Sequence, residues 1–259
     1  MGMTPLDLVH DIRLRADDQG GDTGTIPVGY TYYWEANDSG CLWKNESDLV
    51  YFLNTAHREI AVRTSCYRDA GESEICQLPI RVGVATYEID PRILTIEDAL
   101  LNSTGASLVK TQLRDYRKVA NTHTQTGTPT QYLEENRPFR LTLYPIPIVA
   151  DTLYLTVYRL PLEDMTWAHR TWEVDEPPEQ LREALIQGVL MYAYQKRDAD
   201  TADAGRQQFH AQEFEKLIGP SVDYRTLENR RANANLDISI RPHGYVPRVK
   251  GTRRWYEDA

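Results

Sequence analysis

Cysteine is scarce in this chain. Cys41, Cys66 and Cys76 are three in 259 residues and contain no Cys-x-x-Cys pair. That spacing excludes a disulfide framework and a thiolate zinc site as the basis of the fold, and it fits a reducing compartment. The pairing of Cys66 with Cys76 is left open. Long apolar runs are missing too. No stretch of about 18 apolar residues occurs, so no membrane span is expected, and Met1-Gly2-Met3-Thr4-Pro5 lacks the basic start and apolar stretch of a secretory signal. Positive charge is in deficit, with 29 Lys and Arg against 38 Asp and Glu, a net charge of −9 and a pI near 5.2. Phosphate neutralisation supplies much of the affinity of DNA-reading proteins, so this balance argues against sequence-specific DNA binding. It does not argue against a wall past which DNA slides without sticking.

Catalytic motifs are absent as well. His10, His57, His123, His169, His210 and His243 form no His-x-x-x-His or His-Glu-x-x-His pair. His57 reads as a solvated or interface residue beside Arg58-Glu59. There is no Gly-x-Ser-x-Gly elbow, and Gly20-Gly21-Asp22-Thr23-Gly24 lacks the lysine of a phosphate-binding loop. Asp17-Asp18 with Asp22 lacks the bidentate glutamate of a calcium loop. The adjacent acids Glu134-Glu135 and Glu163-Asp164 read as solvated loop charges, not a glycosidase pair. No catalytic, cofactor or metal residue is assigned, and the chain reads as a non-enzyme.

What is present is ordinary globular material. The composition is 41% apolar and 26% charged, enough for a real core. Sixteen tyrosines stand against four phenylalanines, a bias that suits half-wet interfaces. A first helix is expected over Thr4 to Arg15, capped by Thr4 with Pro5 in the first turn, and Leu8, Ile12 and Arg15 sharing a face. A glycine-rich acidic loop follows, then a tyrosine-rich excursion over 26 to 40. The strongest pattern is the amphipathic helix through Thr64. Leu49, Leu53, Ala56 and Ile60 recur at steps of four, three and four, with Asn45 as N-cap and Phe52 widening the stripe.

After Thr64 the periodicity drops to two. Leu78, Ile80, Val82 and Val84 alternate before Tyr87-Glu88-Ile89, and Ile93 to Leu101 and Leu108 to Leu113 suggest further strands. Gln131 to Glu134 pairs with Phe139 to Tyr144 across Asn136-Arg137-Pro138, and Pro145-Ile146-Pro147 ends that strand. Thr152 to Leu160 is the clearest strand, with Leu153, Leu155 and Val157 on one face and Tyr154, Thr156 and Tyr158 on the other. Helices return over Glu179 to Lys196 (Leu181, Leu185, Val189, Tyr192) and Asp198 to Gly219 (Phe209, Phe214, Leu217, Ile218), with Asp223 to Asn233 as a polar extension. The reading is α+β: an α-helical bundle with an inserted antiparallel β-domain and an extended C-terminal tail. Its segments are N-terminal helices over 1–65, the β-domain over 66–175, C-terminal helices over 176–234 and the tail over 235–259.

Four stretches together resemble a known family. A tryptophan followed by a helix reading Leu49-x-x-x-Leu53-Asn54-x-Ala56-x-x-Glu59-x-Ala61-x-Arg63-Thr64 is similar to the opening helix of tailed-phage head–tail adaptor proteins. Thr4-Pro5-Leu6-x-Leu8-Val9 to Arg13-x-x-x-Asp17-Asp18 resembles the family's first helix and loop. Phe139-Arg140-Leu141-x-Leu143-Tyr144-Pro145-x-Pro147 with Leu153-x-Leu155-x-Val157-Tyr158-Arg159-Leu160-Pro161 is similar to its β-hairpin. Leu181 through Gly188-Val189-Leu190-x-x-Ala193-Tyr194 to Asp198-x-Asp200 resembles its third helix. The four stand in the expected order over residues 4 to 200.

The resemblance implies a structural protein of the virion, at the head–tail junction and in the host cytoplasm during assembly. It would form a homo-oligomeric ring of about twelve copies that joins the portal protein to a tail or nozzle protein. The ring would let double-stranded DNA pass unread. The tail is basic and aromatic, with five basic residues against three acids over 236 to 259. Arg241, Tyr245, Arg248, Arg253, Arg254, Trp255 and Tyr256 are therefore the expected portal contacts. Tyr30, Tyr32, Tyr33 and Trp34 are the expected subunit contacts. Another phage assembly or tail protein is the alternative. So is a carbohydrate- or receptor-binding β-module using Trp34, Trp167 and Trp172 as a stacking platform around His169-Arg170, or else one of those tryptophans covers the β-core.

Overall fold

The computed structural model describes residues 4–18, 31–32, 35, 41, 43, 46–70, 74–111, 124–136, 139–172, 176, 178–196 and 202–221. Within them lie four α-helices: α1 (Pro5–Ala16), α2 (Glu46–Thr64), α3 (Arg182–Gln195) and α4 (Ala204–Ile218). Ten strands fall between α2 and α3: β1 (Arg68–Ala70), β2 (Gln77–Ile80), β3 (Thr86–Glu88), β4 (Ile93–Leu101), β5 (Val109–Lys110), β6 (Thr126–Gly127), β7 (Gln131–Asn136), β8 (Phe139–Tyr144), β9 (Ile146–Pro147) and β10 (Asp151–Arg159). The architecture is the expected α+β.

The N-terminus of α1 is held as its sequence requires. The Asp7 N–H donates to Thr4 Oγ1 at 3.1 Å, and Pro5 occupies a position where no N–H is needed. Leu8 and Ile12 are fully buried. Arg15, expected on the same face, is exposed and pairs with Glu183 across to α3. On α2 the expected stripe holds at every position, since Leu49, Leu53, Ala56 and Ile60 are all inaccessible to solvent. The proposed cap Asn45 lies outside the described residues.

The α3 helix departs from expectation. A 3₁₀ turn over Glu179–Leu181 precedes it. Every residue from Ala184 to Leu190 is buried, where a one-sided stripe is expected. The reason is position: α3 packs against α1, α2 and α4 together, and a helix covered all round needs no polar face. Gly188 is part of that fit. A Cβ there would stand 2.8 Å from the Phe214 ring and 2.9 Å from Ala56 Cβ, so α2, α3 and α4 approach as closely as they do only because the side chain is missing. The last helix starts at Ala204, capped by Asp203, which accepts the N–H groups of Gly205 (2.9 Å) and Arg206 (3.0 Å). The expected helical turn nearest its start, at 198–201, lies outside the described residues. Gly219, with φ of 86°, ends α4 as expected. Phe214 is fully buried, but Phe209 and Leu217 are exposed, so only part of the expected apolar face is core.

The strand β10 is the centre of the largest sheet. It pairs antiparallel with β1 and β2 on one flank and β4 on the other. Leu153, Leu155 and Val157 are buried and alternate with partly exposed Tyr154, Thr156 and Tyr158, as expected. Irregularities in the β4–β10 ladder near Val157 and Arg159 shift the phase of β4. That shift puts Ile93, Ile96 and Ala99 inside at steps of three. The expected β7–β8 hairpin is present, with Gln131 opposite Tyr144 and Leu133 opposite Thr142. β3 completes that sheet on the β8 side.

Four expectations for the β region fail. The stretches 139–147 and 153–161, read as one β-hairpin, do not pair: β8 stands between β7 and β3, and β10 among β1, β2 and β4, in separate sheets. It is mixed, not purely antiparallel, because β5 runs parallel to β7 and β6 parallel to β9. Pro147 does not simply end a strand but sits in β9, a two-residue strand beside β6. Val82 and Val84 are not strand interior. Residues 81–85 form a turn whose Gly83 has φ of 75° and donates its N–H to the Pro147 carbonyl at 2.8 Å. The valines therefore point into solvent. Glycine at 83 permits a left-handed backbone that defeats the alternation.

Two apolar cores result. One gathers α1, α2, α3 and α4 through Leu8, Ile12, Leu53, Ile60, Leu185, Val189 and Phe214. The other gathers the strands through Ile93, Ile96, Leu101, Leu141, Leu153 and Leu155.

Candidate functional site

Polar groups inside the helical region hold the connecting segments in place. Arg13 falls in step with the buried residues of α1, four positions after Val9, and its side chain is fully buried. It donates to Asp18 Oδ2 at 2.8 Å and to the Trp43 carbonyl at 2.6 Å. The Asp18 carboxylate is equally buried, and the Trp43 N–H approaches it at 3.5 Å. The two ends of the 19–42 excursion are thus joined through one guanidinium. Asp18 is an anchor, not a loop acid. An arginine at a core position of an amphipathic helix is the signal that marks it.

The same excursion touches α1 a second time. Tyr32 stacks on His10, with ring centroids 3.8 Å apart, and donates its hydroxyl to Asp7 at 3.0 Å. Burial, then the hydrogen bond to Asp7, pushes the Tyr32 hydroxyl up to about 12. Glu35 accepts the N–H groups of Thr31 (2.8 Å) and Tyr32 (3.0 Å) and faces Arg170 at 3.4 Å. Tyr32, expected at a subunit contact, is therefore engaged within its own chain. Tyr30, Tyr33 and Trp34 lie outside the described residues, as do Arg241, Tyr245, Arg248, Arg253, Arg254, Trp255 and Tyr256.

A third set of groups joins helices to strands. Asn54 on α2 makes a two-way amide contact with Met165, donating to its carbonyl at 2.9 Å and accepting its N–H at 2.8 Å. Arg159, at the end of β10, pairs with Asp69 (2.9 Å) and Glu176 (2.7 Å). His57 contradicts its expected exposure. It is 2% exposed and hydrogen-bonded to the Tyr67 hydroxyl. Burial pulls its pKa down to about 4, so the imidazole is neutral at physiological pH, and burial raises the Tyr67 phenol above its ordinary range.

One acid of each adjacent pair lies in a salt bridge, and Glu134, expected as a solvated loop charge, is nearly buried on β7. Glu134 meets Lys110 at 2.7 Å and Asp164 meets Arg58 at 2.5 Å. Cys41, Cys66 and Cys76 form no disulfide among the described residues. Among the described residues no group of three His, Cys, Asp or Glu could hold a metal ion, and no helix is long and apolar enough to cross a membrane. The tryptophan platform is not assembled as expected. Trp172 is exposed and stacked on His169 at 3.9 Å, while Trp167 packs against the helical core beneath Arg170. Neither Trp167 nor the exposed Trp172 therefore covers the β-core, and Trp34 lies outside the described residues.

Exposed apolar groups mark the surfaces that could adhere to something. On the helices these are Leu14, Tyr51, Phe209 and Leu217. At the end of β10 remote from the helices, the 81–85 turn presents Val82 and Val84, and the β9–β10 connection presents Ile148 and Val149. Sequence reading missed this end, because valines at period two read as a strand face. Beside it lies a groove of about 110 Å³ lined by Leu101, Thr104, Thr128, Pro129, Ile148 and Val149, among others. These surfaces offer contact area, not acid–base chemistry.

Among the curated proteins none matches the chain in sequence. The SU10 adaptor protein family does, through a model that aligns with residues 3–237. This span takes in all four helices and all ten strands, and the chain therefore belongs to the SU10 adaptor protein family, the structural adaptors of the phage head–tail junction.

Proposed function

We propose that this chain forms a closed ring of about twelve copies, seated between the portal protein and the tail or nozzle protein, and that the ring continues the channel through which DNA passes. The observation that carries the reading is the family match over residues 3–237, nearly the whole chain. The charge balance supports the channel role, since a −9 chain repels phosphate and offers DNA little to grip. In this reading the chain divides into N-terminal helices (1–65), a β-domain (66–175), C-terminal helices (176–234) and a tail (235–259). The helices form a bundle, and the tail binds the portal through Arg241, Tyr245, Arg248, Arg253, Arg254, Trp255 and Tyr256. Tyr30, Tyr32, Tyr33 and Trp34 serve the neighbouring subunit. Assembly takes place in the host cytoplasm.

Light scattering with negative-stain images of the same peak tests the ring. One chain is 29.8 kDa, so twelve give about 360 kDa around a central channel. A compact dimer at all concentrations, with none recruited to portal rings, would overturn the proposal. Deleting 236–259 should abolish portal binding and leave the thermal melt unchanged. Retained binding would remove the tail from the portal contact.

A further inference from the structure

The α4 helix buries one residue, Phe214, and leaves an apolar flank in solvent. Phe209 is 56% exposed and Leu217 50%. Glu213 stands between them, and steps of four keep all three on one side of the helix. This flank ends at a built turn. Gly219 takes φ of 86°, and Pro220 follows, which cannot continue a helix. The Gly219 carbonyl accepts the Arg63 guanidinium at 3.0 Å, so the end of α4 is pinned to the end of α2. The start of α4 lies at the opposite end of the helical region. Arg206 donates to the Tyr194 hydroxyl at 3.0 Å, and Lys196, two residues after Tyr194, pairs with Asp48 in the first turn of α2 at 2.6 Å. Both helices therefore run toward the strands, and the chain that leaves Gly219 leaves at the strand end.

The sequence that follows has the spacing to lie back along α4. Tyr224, Leu227, Arg231 and Ala234 fall at steps of three, four and three, one face of a helix. As a helix, residues 222–234 span about 20 Å, against about 22 Å for α4. The connection at 219–221 has the length that joins antiparallel helices. The family match runs to residue 237, so it takes in this segment and leaves most of the basic tail outside. We infer that residues 222–234 fold back as a helix onto the Phe209–Leu217 flank of their own α4. Tyr224 and Leu227 then cover Leu217, and Arg231 lies over the Phe209 ring beside Glu213. The hairpin decides where the tail begins. Residue 235 returns to the start of α4, at the end of the helical region away from the strands. On the reading that the tail binds the portal, this end of the subunit faces the portal.

The test uses the full-length chain. With Phe209→Cys and Arg231→Cys together, a short bismaleimide should join the two positions, read as a linked peptide by mass spectrometry. Neither single variant should give that peptide. Mixing heavy-isotope and ordinary protein before the reaction separates links within one chain, which carry one label, from links between chains, which carry both. Hydrogen exchange reads the same contact without new cysteines. Amides of 224–234 should exchange about tenfold slower, or more, than those of the tail. Leu227→Asp should remove that protection and leave α1 and α2 protected. Fast exchange over 224–234 with no link inside a chain overturns the hairpin. Links of mixed label alone overturn it as well, since a second copy then covers α4. The facing end is read on portal rings: a photoreactive maleimide on Gly205→Cys should capture the portal, and one on Val84→Cys should not. The reverse overturns the orientation. If the link forms within one chain but Arg254→Glu with Trp255→Ala binds portal rings as well as the parent, the hairpin stands and the portal role of the tail falls.

Discussion

The helical and β regions of this protein solve the same problem in different ways. Both bury an apolar core, yet the helical region also buries charged and hydrogen-bonded groups: Arg13 with Asp18, and His57 with Tyr67. Beside them Asn54 clamps Met165. In the β region the equivalents lie away from the centre, the Lys110–Glu134 pair on two adjacent strands and Arg159, at the end of β10, with Asp69 on β1, and the centre around Leu153, Leu155 and Ile96 is apolar. Backbone ladders explain the difference. A strand's register is set by hydrogen bonds to its neighbour, so the side chains need only fill space. An apolar stripe on a helix permits sliding and rotation, and a buried polar contact that can be satisfied in one arrangement only removes that freedom. Here those contacts also fix where the connections return: Arg13 ties residues 18 and 43 together, and Asn54 ties the segment after β10 to α2.

The comparison can be broken most directly at Arg13. Arg13→Met should cost about 3–5 kcal/mol in chemical denaturation, because Asp18 is left charged and buried. Adding Asp18→Asn to it should recover a large share. Additive costs in that double-mutant cycle would mean that the pair is not an anchor.

His57 gives the next effect, and it depends on pH. The folded pKa lies near 4 against 6.5 for the free side chain, so the unfolded chain binds a proton that the folded one does not. Stability contributed by the neutral imidazole is complete above about pH 6.5 and is lost as pH falls from there toward 4, by about 3 kcal/mol in total. His57→Gln should flatten the difference in thermal stability between pH 7 and 4.5. An unchanged slope would exclude His57 as its source.

Gly188→Ala should cost about 1–3 kcal/mol by overpacking against Phe214 and Ala56. A neutral result would show that α4 can move away freely, and that the close approach of α2, α3 and α4 is not a constraint. The smallest effect is expected at the surface. Arg58→Ala removes the pair with Asp164, whose side chains are about half exposed, and should change stability by no more than about 1 kcal/mol. A larger loss would place part of the helix–strand coupling outside the buried contacts.

Much of this architecture is readable from the residues alone, for physical reasons that differ by element. The stripe of α2, the Thr4–Pro5 start of α1, the β7–β8 pairing and the alternation of β10 are local: period, cap and turn chemistry act within a few residues. The motifs that carry the family resemblance are local elements too (α1, α2, the strands β8 and β10, and α3), which is why sequence led to the adaptor family; that β8 and β10 stand in separate sheets and not in one hairpin was decided by the fold. The three-dimensional neighbours decided the rest. Burial of α3 on all sides follows from the three helices around it. Exposure of Val82 and Val84 follows from one glycine's backbone and a bond to Pro147. The inward turn of Arg13, His57 and Tyr32 depends on partners 5, 10 and 25 residues away. Periodicity records which residues avoid water. Whether a charged or polar residue among them is a surface group or an anchor depends on a partner brought close only by folding.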